Sequence, residues 1–383
     1  MKNKILYLSR TSLLGGAEIS LFDLIKKLDK ENYHPIVVLP DKKGLFYQEL
    51  IKKNIEVNIV KMAFLRKTFN IFLLFWFSMN IFLINVYFLF FLIKNKVKIV
   101  VCNSFQDSIF ISVPSKMLRK KMIIYIKNIL DKKWKKYIRA KICDFFADKI
   151  VAISKENAKD FTDFSTNKGK ISVIYDGIDP VEFRKGYDTG NPLDKYGDAK
   201  LRIINIGNIS ELKGQKLLVE AISIDKIKSL DIKVFLIGGT NFKKDIQYKN
   251  KILELISKNK LEEKVHLLYF QREIKNFIYH SDVLIHCPII EAGLGMVVLE
   301  AFAFVKLVIG TNIGGIPEMI KDGSNGFLCN PDKYDLAEKI LYVYNNLTKL
   351  DSIKYNAIKT VEKDFNLETK VRKTEEIYQS LLR

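Results

Sequence analysis

Residues 282–318, DVLIHCPIIEAGLGMVVLEAFAFVKLVIGTNIGGIPE, constrain the fold more than any other stretch of the chain. Asp282–Cys287 is a short apolar run that ends at Pro288, which suits a buried parallel strand. Gly293 and Gly295 let the backbone turn sharply and approach a ligand closely. Met296–Phe304 reads as a short apolar helix with one carboxylate, Glu300, and Lys306–Thr311 as the next strand, before the Gly314-Gly315 turn. Strand, glycine loop, helix, strand is the repeating unit of an α/β fold built on a parallel sheet. The first N–H groups of such a helix suit phosphate or sugar oxygens. Glu300 is costly to bury unless hydroxyls or amides donate to it. Glycine turns follow the strands of any α/β protein, so these residues alone leave a ligand site and an ordinary turn both open.

At 383 residues the chain has room for two domains. Its 48% hydrophobic and 28% charged residues exclude a disordered chain. Cys102, Cys143, Cys287 and Cys329 are widely spaced, and three of them lie in or beside apolar runs, which favours buried free thiols over disulfides or zinc ligands. The four histidines form no HExxH pattern, so neither metal nor other cofactor is expected. The apolar run in MKNKILYLSR is too short for a secretory leader, and a cytoplasmic protein is expected. The net charge of +20 is uneven: residues 1–190 hold 34 Lys/Arg and 18 Asp/Glu (net +16), residues 191–383 hold 29 and 25 (net +4). If either half has an anionic neighbour it is the first; a lysine-rich genome bias is the alternative source of the charge. No helix-turn-helix, zinc-finger or RNA-binding signature accompanies the charge, which favours anionic lipid over nucleic acid.

In chain order, Lys4–Leu8 reads as a strand, Gly15-Gly16 as a turn and Ala17–Lys30 as an amphipathic helix. His34–Leu39 and Glu56–Met62 are further strands around a helix at Leu45–Lys53. Residues 68–93, TFNIFLLFWFSMNIFLINVYFLFFLI, hold no charge. As a helix they would reach about 39 Å, enough to cross a bilayer. Crossing would separate three strands from the rest of their sheet, and the basic flanks are symmetric, giving no orientation signal. We read a long helix or bent pair with one face on the sheet; its excess apolar surface is buried in the protein or set into a membrane interface. Lys98–Asn103 is the fourth strand. Residues 116–141 then carry eleven Lys/Arg and one acid, interleaved with Tyr125, Trp134 and Tyr137, which suits an anionic bilayer surface or a solvated helix face. A hinge is expected near 178–200, where prolines and glycines cluster. Beyond it come strand Leu201–Ile206, a helix opened by Lys213 and running to about Ser229, strands Val234–Ile237 and Val265–Tyr269, helix Glu273–His280, and the opening stretch.

GGAE at 15–18, VIYDGIDPVEF at 173–183, GNISELKGQ at 207–215 and the 282–318 stretch together resemble the retaining GT-B glycosyltransferases of family 4, the glycosyl transferases group 1. The resemblance spans nearly the whole chain. It implies two Rossmann-like domains with parallel sheets facing across a cleft: an acceptor- and membrane-facing domain over 1–185, with 366–383 packing back on it, and a nucleotide-sugar domain over 186–365. It also implies roles. Gly15 and Gly16 approach the donor diphosphate, and Asn208 stands where members carry Arg. Lys213 neutralises the leaving diphosphate. Gly293, Leu294, Gly295 and Met296 offer backbone to the donor, Glu300 holds the ribose hydroxyls, and Glu291 is the acid near the transferred sugar. The implied partners are a nucleotide-sugar, a glycan or lipid-linked glycan acceptor and an anionic membrane surface on the cytoplasmic side, with no nucleic acid.

Three departures stand out. The family spaces its two acids eight apart; Glu291 and Glu300 are nine apart, and counting back eight from Glu300 reaches Ala292. The family's GxPVV reads Val305-Lys306-Leu307-Val308-Ile309, and a histidine common after a first-domain strand is replaced in Tyr125-Ile126-Lys127-Asn128. A catalytically degenerate GT-B subunit and a GT-B nucleotide-sugar epimerase are the rival readings.

Overall fold

The computed structural model of the chain describes residues 2–62, 70–130, 132–187, 190–240, 242–290 and 293–383. It resolves into two compact units, Met1–Asp176 with Leu367–Arg383, and Gly177–Asn366.

The first unit is a seven-stranded, all-parallel sheet: β1 (Asn3–Leu8), β2 (Tyr33–Leu39), β3 (Glu56–Ile59), β4 (Ile99–Cys102), β5 (Lys121–Ile126), β6 (Lys149–Ala152) and β7 (Ile171–Val173). Their order is β3-β2-β1-β4-β5-β6-β7. Central strands such as Ile99–Cys102 are buried throughout, because helices cover both faces and no strand position needs to be polar. The helices are α1 (Gly16–Lys27), α2 (Leu45–Lys52), α3 (Ile71–Lys94), α4 (Phe105–Ser108), α5 (Ser112–Met117), α6 (Lys133–Phe146) and α7 (Lys155–Thr162). The long apolar segment is one helix, not a bent pair. Asn70 caps it, its side chain accepting from the Phe72 and Leu73 amides at 2.9 and 3.2 Å. Two other expectations are corrected. The third strand stops at Ile59, three residues short of Met62. The basic stretch 116–141 is split among the end of α5, β5 and the start of α6, so its charges do not form a single helix face.

The second unit carries a six-stranded parallel sheet: β8 (Leu201–Ile206), β9 (Ile232–Ile237), β10 (Val265–Leu268), β11 (Val283–His286), β12 (Leu307–Thr311) and β13 (Phe327–Cys329), in the order β10-β9-β8-β11-β12-β13. Its helices are α8 (Pro180–Phe183), α9 (Gln215–Ile222), α10 (Asp225–Lys228), α11 (Lys243–Lys258), α12 (Ile274–Tyr279), α13 (Met296–Ala303), α14 (Ile316–Met319), α15 (Lys333–Asn346) and α16 (Asp351–Asp364). The units divide between Asp176 and Gly177, ahead of the expected 185/186 division. Packing supplies the reason: α8 contacts α13, and the Phe183 ring meets Phe304 edge-on at 5.6 Å.

A last helix, α17 (Leu367–Leu382), returns to the first unit and packs on α1. The Tyr7 and Tyr378 hydroxyls hydrogen-bond at 2.9 Å. Lys370 Nζ lies 3.0 Å from Asp176 and donates to the Ser20 carbonyl at 2.7 Å, all of it buried.

Candidate functional site

In an open parallel sheet, ligands bind outside the carboxyl ends of the strands, where the strand order reverses. In the second unit that point lies between β8 and β11. The two loops that leave it carry most of the sequence-derived site residues, and they are bonded to each other. The Ile289 amide donates to the Leu212 carbonyl at 3.3 Å, and Cys287 Sγ lies 3.4 Å from the Gly214 carbonyl.

Lys213 does not open a long helix. It closes a 3-10 turn over Glu211–Lys213, Gly214 takes φ +70°, and α9 starts at Gln215 and stops at Ile222. A Cβ on Gly214 would lie 1.8 Å from the Cys287 carbonyl oxygen, so only glycine lets the two loops touch. Gln215 braces the turn by donating to the Asn208 carbonyl at 3.1 Å. Lys213 is half-buried, and burial pushes its ammonium below the ordinary lysine range. Among the described residues no carboxylate pairs with it. A cation partly withdrawn from water, with no counterion among the described residues, suits an anionic ligand.

On the other loop, Gly293 and Leu294 are half-buried, and Gly295 sits at the N-cap of α13 in extended backbone. All eight residues of α13 are buried, Glu300 included at 5% exposure. Met296 and Glu300 are one turn apart, so Glu300 shares the face that begins at the helix N-terminus. Behind Gly295 lies His286, the last residue of β11. A Cβ on Gly295 would come within 2.5 Å of His286 Nε2. Burial first, then the charge of Lys213, pushes His286 down to about 3, so the imidazole is neutral. Glu291 and Ala292 lie outside the described residues, so the catalytic acid expected at Glu291 has no described position here.

In the first unit the reversal lies between β1 and β4. Gly15 is the extended N-cap of α1 and Gly16 its first residue, with Glu18 in the first turn. Lys127, just past β5, donates to Asn103 Oδ1 at 2.6 Å and to the Ala17 carbonyl at 2.9 Å; Asn103 Nδ2 in turn reaches Glu18 at 3.4 Å. Burial lowers Lys127 to about 8, against the attraction of Asp176. Sequence reasoning met Lys127 only as a missing histidine and did not see this cluster, because its members come from three separate strand ends. His286 was also missed. The one signal for it was a polar residue ending an apolar strand.

Residues 194–360 match the family model described as Glycosyl transferases group 1, and residues 14–182 that of Glycosyltransferase Family 4. N-acetyl-alpha-D-glucosaminyl L-malate synthase of Bacillus anthracis is 27% identical over 242 residues, covering 62% of this chain and 61% of that protein. The capsular polysaccharide biosynthesis glycosyltransferase CapM of Staphylococcus aureus is 26% identical over 254 residues, 64% of this chain and 65% of that one. The chain thus spans less than two thirds of the length of these relatives. The crystal structure of Anabaena HepE with UDP and glucose superposes with a TM-score of 0.83 at 22% identity, covering 99% of this chain and 100% of that one. Two all-parallel sheets, each reversing its strand order beside a glycine loop, and a family match on each half lead to one conclusion: the chain belongs to the group 1, family 4 glycosyltransferases and has the GT-B fold.

Proposed function

We propose that the protein transfers a hexosyl group from a nucleotide-sugar, with retention of anomeric configuration, to a growing, lipid-linked cell-surface polysaccharide or lipopolysaccharide, working at the cytoplasmic face of a membrane. The observation that carries the donor half is Lys213, a partly buried cation on the loop leaving β8 that no carboxylate among the described residues pairs with. In this reading Lys213 and the N-terminus of α13 neutralise the charge that grows on the departing diphosphate, so that no metal is needed. Glu300 accepts hydrogen bonds from the ribose hydroxyls. Gly293, Leu294, Gly295 and Met296 bring backbone to the donor, and Asn208 sits beside the phosphates. Gly15 and Gly16 are assigned to the diphosphate by resemblance. Glu291 is assigned by resemblance as the acid near the transferred sugar. Retention through front-face attack asks for no protein nucleophile.

The acceptor class is supported by CapM, whose name places that protein in capsular polysaccharide biosynthesis, and the donor class by HepE, which was crystallised with UDP and glucose. The test is a screen of nucleotide-sugars with purified protein, reading nucleotide release with and without EDTA. Release from one donor that survives EDTA supports the proposal. Release that EDTA abolishes removes the metal-independent part.

The nine-residue spacing of Glu291 and Glu300 favours a second reading, a non-catalytic subunit that binds the donor without turning it over. Nucleotide binding by calorimetry with no hydrolysis or transfer from any donor would select it. Conversion of one UDP-sugar into another without UDP release would select an epimerase.

A further inference from the structure

The largest anomaly in the molecule is α3. It has 24 residues, and its most apolar window, of mean hydropathy 1.9, is only 11% buried. At about 1.5 Å per residue the helix is about 36 Å long. The six-residue β1 is about 20 Å. The helix therefore outruns its sheet. The overhang is at one end only: the buried residues are Ile84, Phe88, Phe91 and Leu92, all in the second half. From Ile71 to Asn80 no residue is buried, with Ile71 78% and Phe72 86% exposed.

Topology fixes where the overhang points. Every strand of the sheet runs the same way, so the helix after β3 starts at the carboxyl edge and runs back toward the amino edge. The bare end of α3 therefore stands at the carboxyl edge, the edge that also carries Gly15, Asn103 and Lys127. The same holds for α6, which begins with exposed Lys133 behind exposed Lys132. Right-handed crossovers put α3, α5 and α6 on one face of the sheet. The contacts agree: α3 packs on α5, and α5 on α6. Exposed Met117, Trp134, Tyr137 and Phe145 continue the apolar surface across that layer.

Length decides between spanning and dipping. Crossing a hydrocarbon core of about 30 Å takes about 20 free apolar residues. The half that packs on the sheet is not free, and the remaining ten residues reach about 15 Å, the depth of one leaflet. Moreover β3 and β4, on either side of α3, lie in one sheet, so both ends of the helix stay on one side of a bilayer. A second copy of the chain is a poorer occupant. Two-fold pairing through this face would bring two copies of one strongly basic layer together, like charge near like charge.

We propose that the amino-terminal half of α3 enters a single leaflet of an anionic membrane, with Trp134, Lys132 and Lys133 at headgroup level, and that the carboxyl edge of the first sheet takes its acceptor from that lipid surface. The last clause rests on the acceptor reading above; the docking itself does not.

The two tryptophans of the chain, Trp76 and Trp134, both lie on this layer and serve as probes. The full-length Trp134→Phe variant leaves Trp76 alone. With vesicles of phosphatidylcholine and phosphatidylglycerol, acyl-chain-brominated lipid should quench Trp76 at least about twofold. The complementary Trp76→Phe variant should show weaker quenching of Trp134 by the same lipid. Replacing Ile71, Phe72, Phe75 and Trp76 by Ser should abolish flotation with vesicles while nucleotide binding by calorimetry stays unchanged. High salt should weaken flotation, since headgroup attraction is screened. An unquenched Trp76, with wild-type protein left at the bottom of a low-salt gradient, overturns the proposal. So does a stable dimer that buries Trp76 without lipid. Loss of nucleotide binding in the wild-type protein would instead strike the transferase reading and leave the quenching result standing.

Discussion

Replacing Lys370 by Met tests how α17 is held. The methionine keeps most of the packing volume and removes the only positive charge that α17 brings to Asp176. Both partners are nearly inaccessible, with 2% and 4% of their side chains exposed, and the pair is 3.0 Å apart. Burial alone would raise the Asp176 pKa, but Lys370 and Lys127, together with the hydrogen bond from Ser20, more than offset it and hold the carboxyl below the ordinary range. Removing one partner of such a pair costs about 3–5 kcal/mol, because the other charge is left buried. At tenfold per 1.4 kcal/mol, that is a factor of at least about 100 in the opening equilibrium of α17. Hydrogen exchange followed by mass spectrometry reads it directly, since peptides from 367–383 report on α17 separately from the second unit. Asp176→Asn in the same background should recover part of the loss, as the uncompensated charge disappears.

The pH dependence has a definite sign. In wild type the folded pKa lies below the unfolded value of about 3.9, so this stabilisation is present above that pH and is lost as pH falls through the folded value. In Lys370→Met burial raises the folded pKa, so the penalty is greatest at neutral pH and shrinks on acidification as Asp176 takes up a proton. An α17 whose exchange changes less than about threefold at neutral pH would refute this account of the pair.

Other outcomes follow from the second unit. Lys213→Ala should lower kcat more than it raises the donor KM, because negative charge grows in the transition state; an effect on KM alone contradicts the assigned role. Glu300→Gln should weaken nucleotide binding at least several-fold, from the loss of about 1.5–3 kcal/mol of charged hydrogen bonding, and unchanged calorimetry removes Glu300 from the site. Val305 holds φ +57° where a β-branched residue is strained, so Val305→Gly should raise the second unit's thermal stability by about 1 kcal/mol; a lower melting temperature contradicts the strain.

Val305 also shows how much the sequence could convey. The family pattern has Gly at this position, and the left-handed backbone found here is the physical reason, yet the letter Val gives no sign of it between the expected helix Met296–Phe304 and strand Lys306–Thr311. Parallel strands announced themselves because burial on both faces demands unbroken apolar runs, as in Ile99–Cys102 and Leu307–Thr311. Helix lengths were harder. Residues after Lys213 are periodic to Ser229, but Gly214 and the Ser223 region break them into a turn and two helices, α9 and α10, that both pack against α15. The Lys213 loop was legible as a glycine-flanked cation behind a strand. The brace from Gln215 and the contact of Gly214 with Cys287 were not, since they join residues whose proximity only the tertiary fold creates.

The return of α17 has a consequence for how the molecule is made. Its contacts with the first unit are among the longest-range in the chain: Lys370 meets Ser20 across 350 positions, and Tyr378 meets Tyr7 across 371. During synthesis from the amino terminus, the first sheet emerges with Asp176 lacking its partner and Tyr7 lacking its lid. The whole second unit must leave the ribosome before either is supplied. A sheet that waits this long with one face incomplete, and with α3 already exposed, has a strong apolar surface to protect.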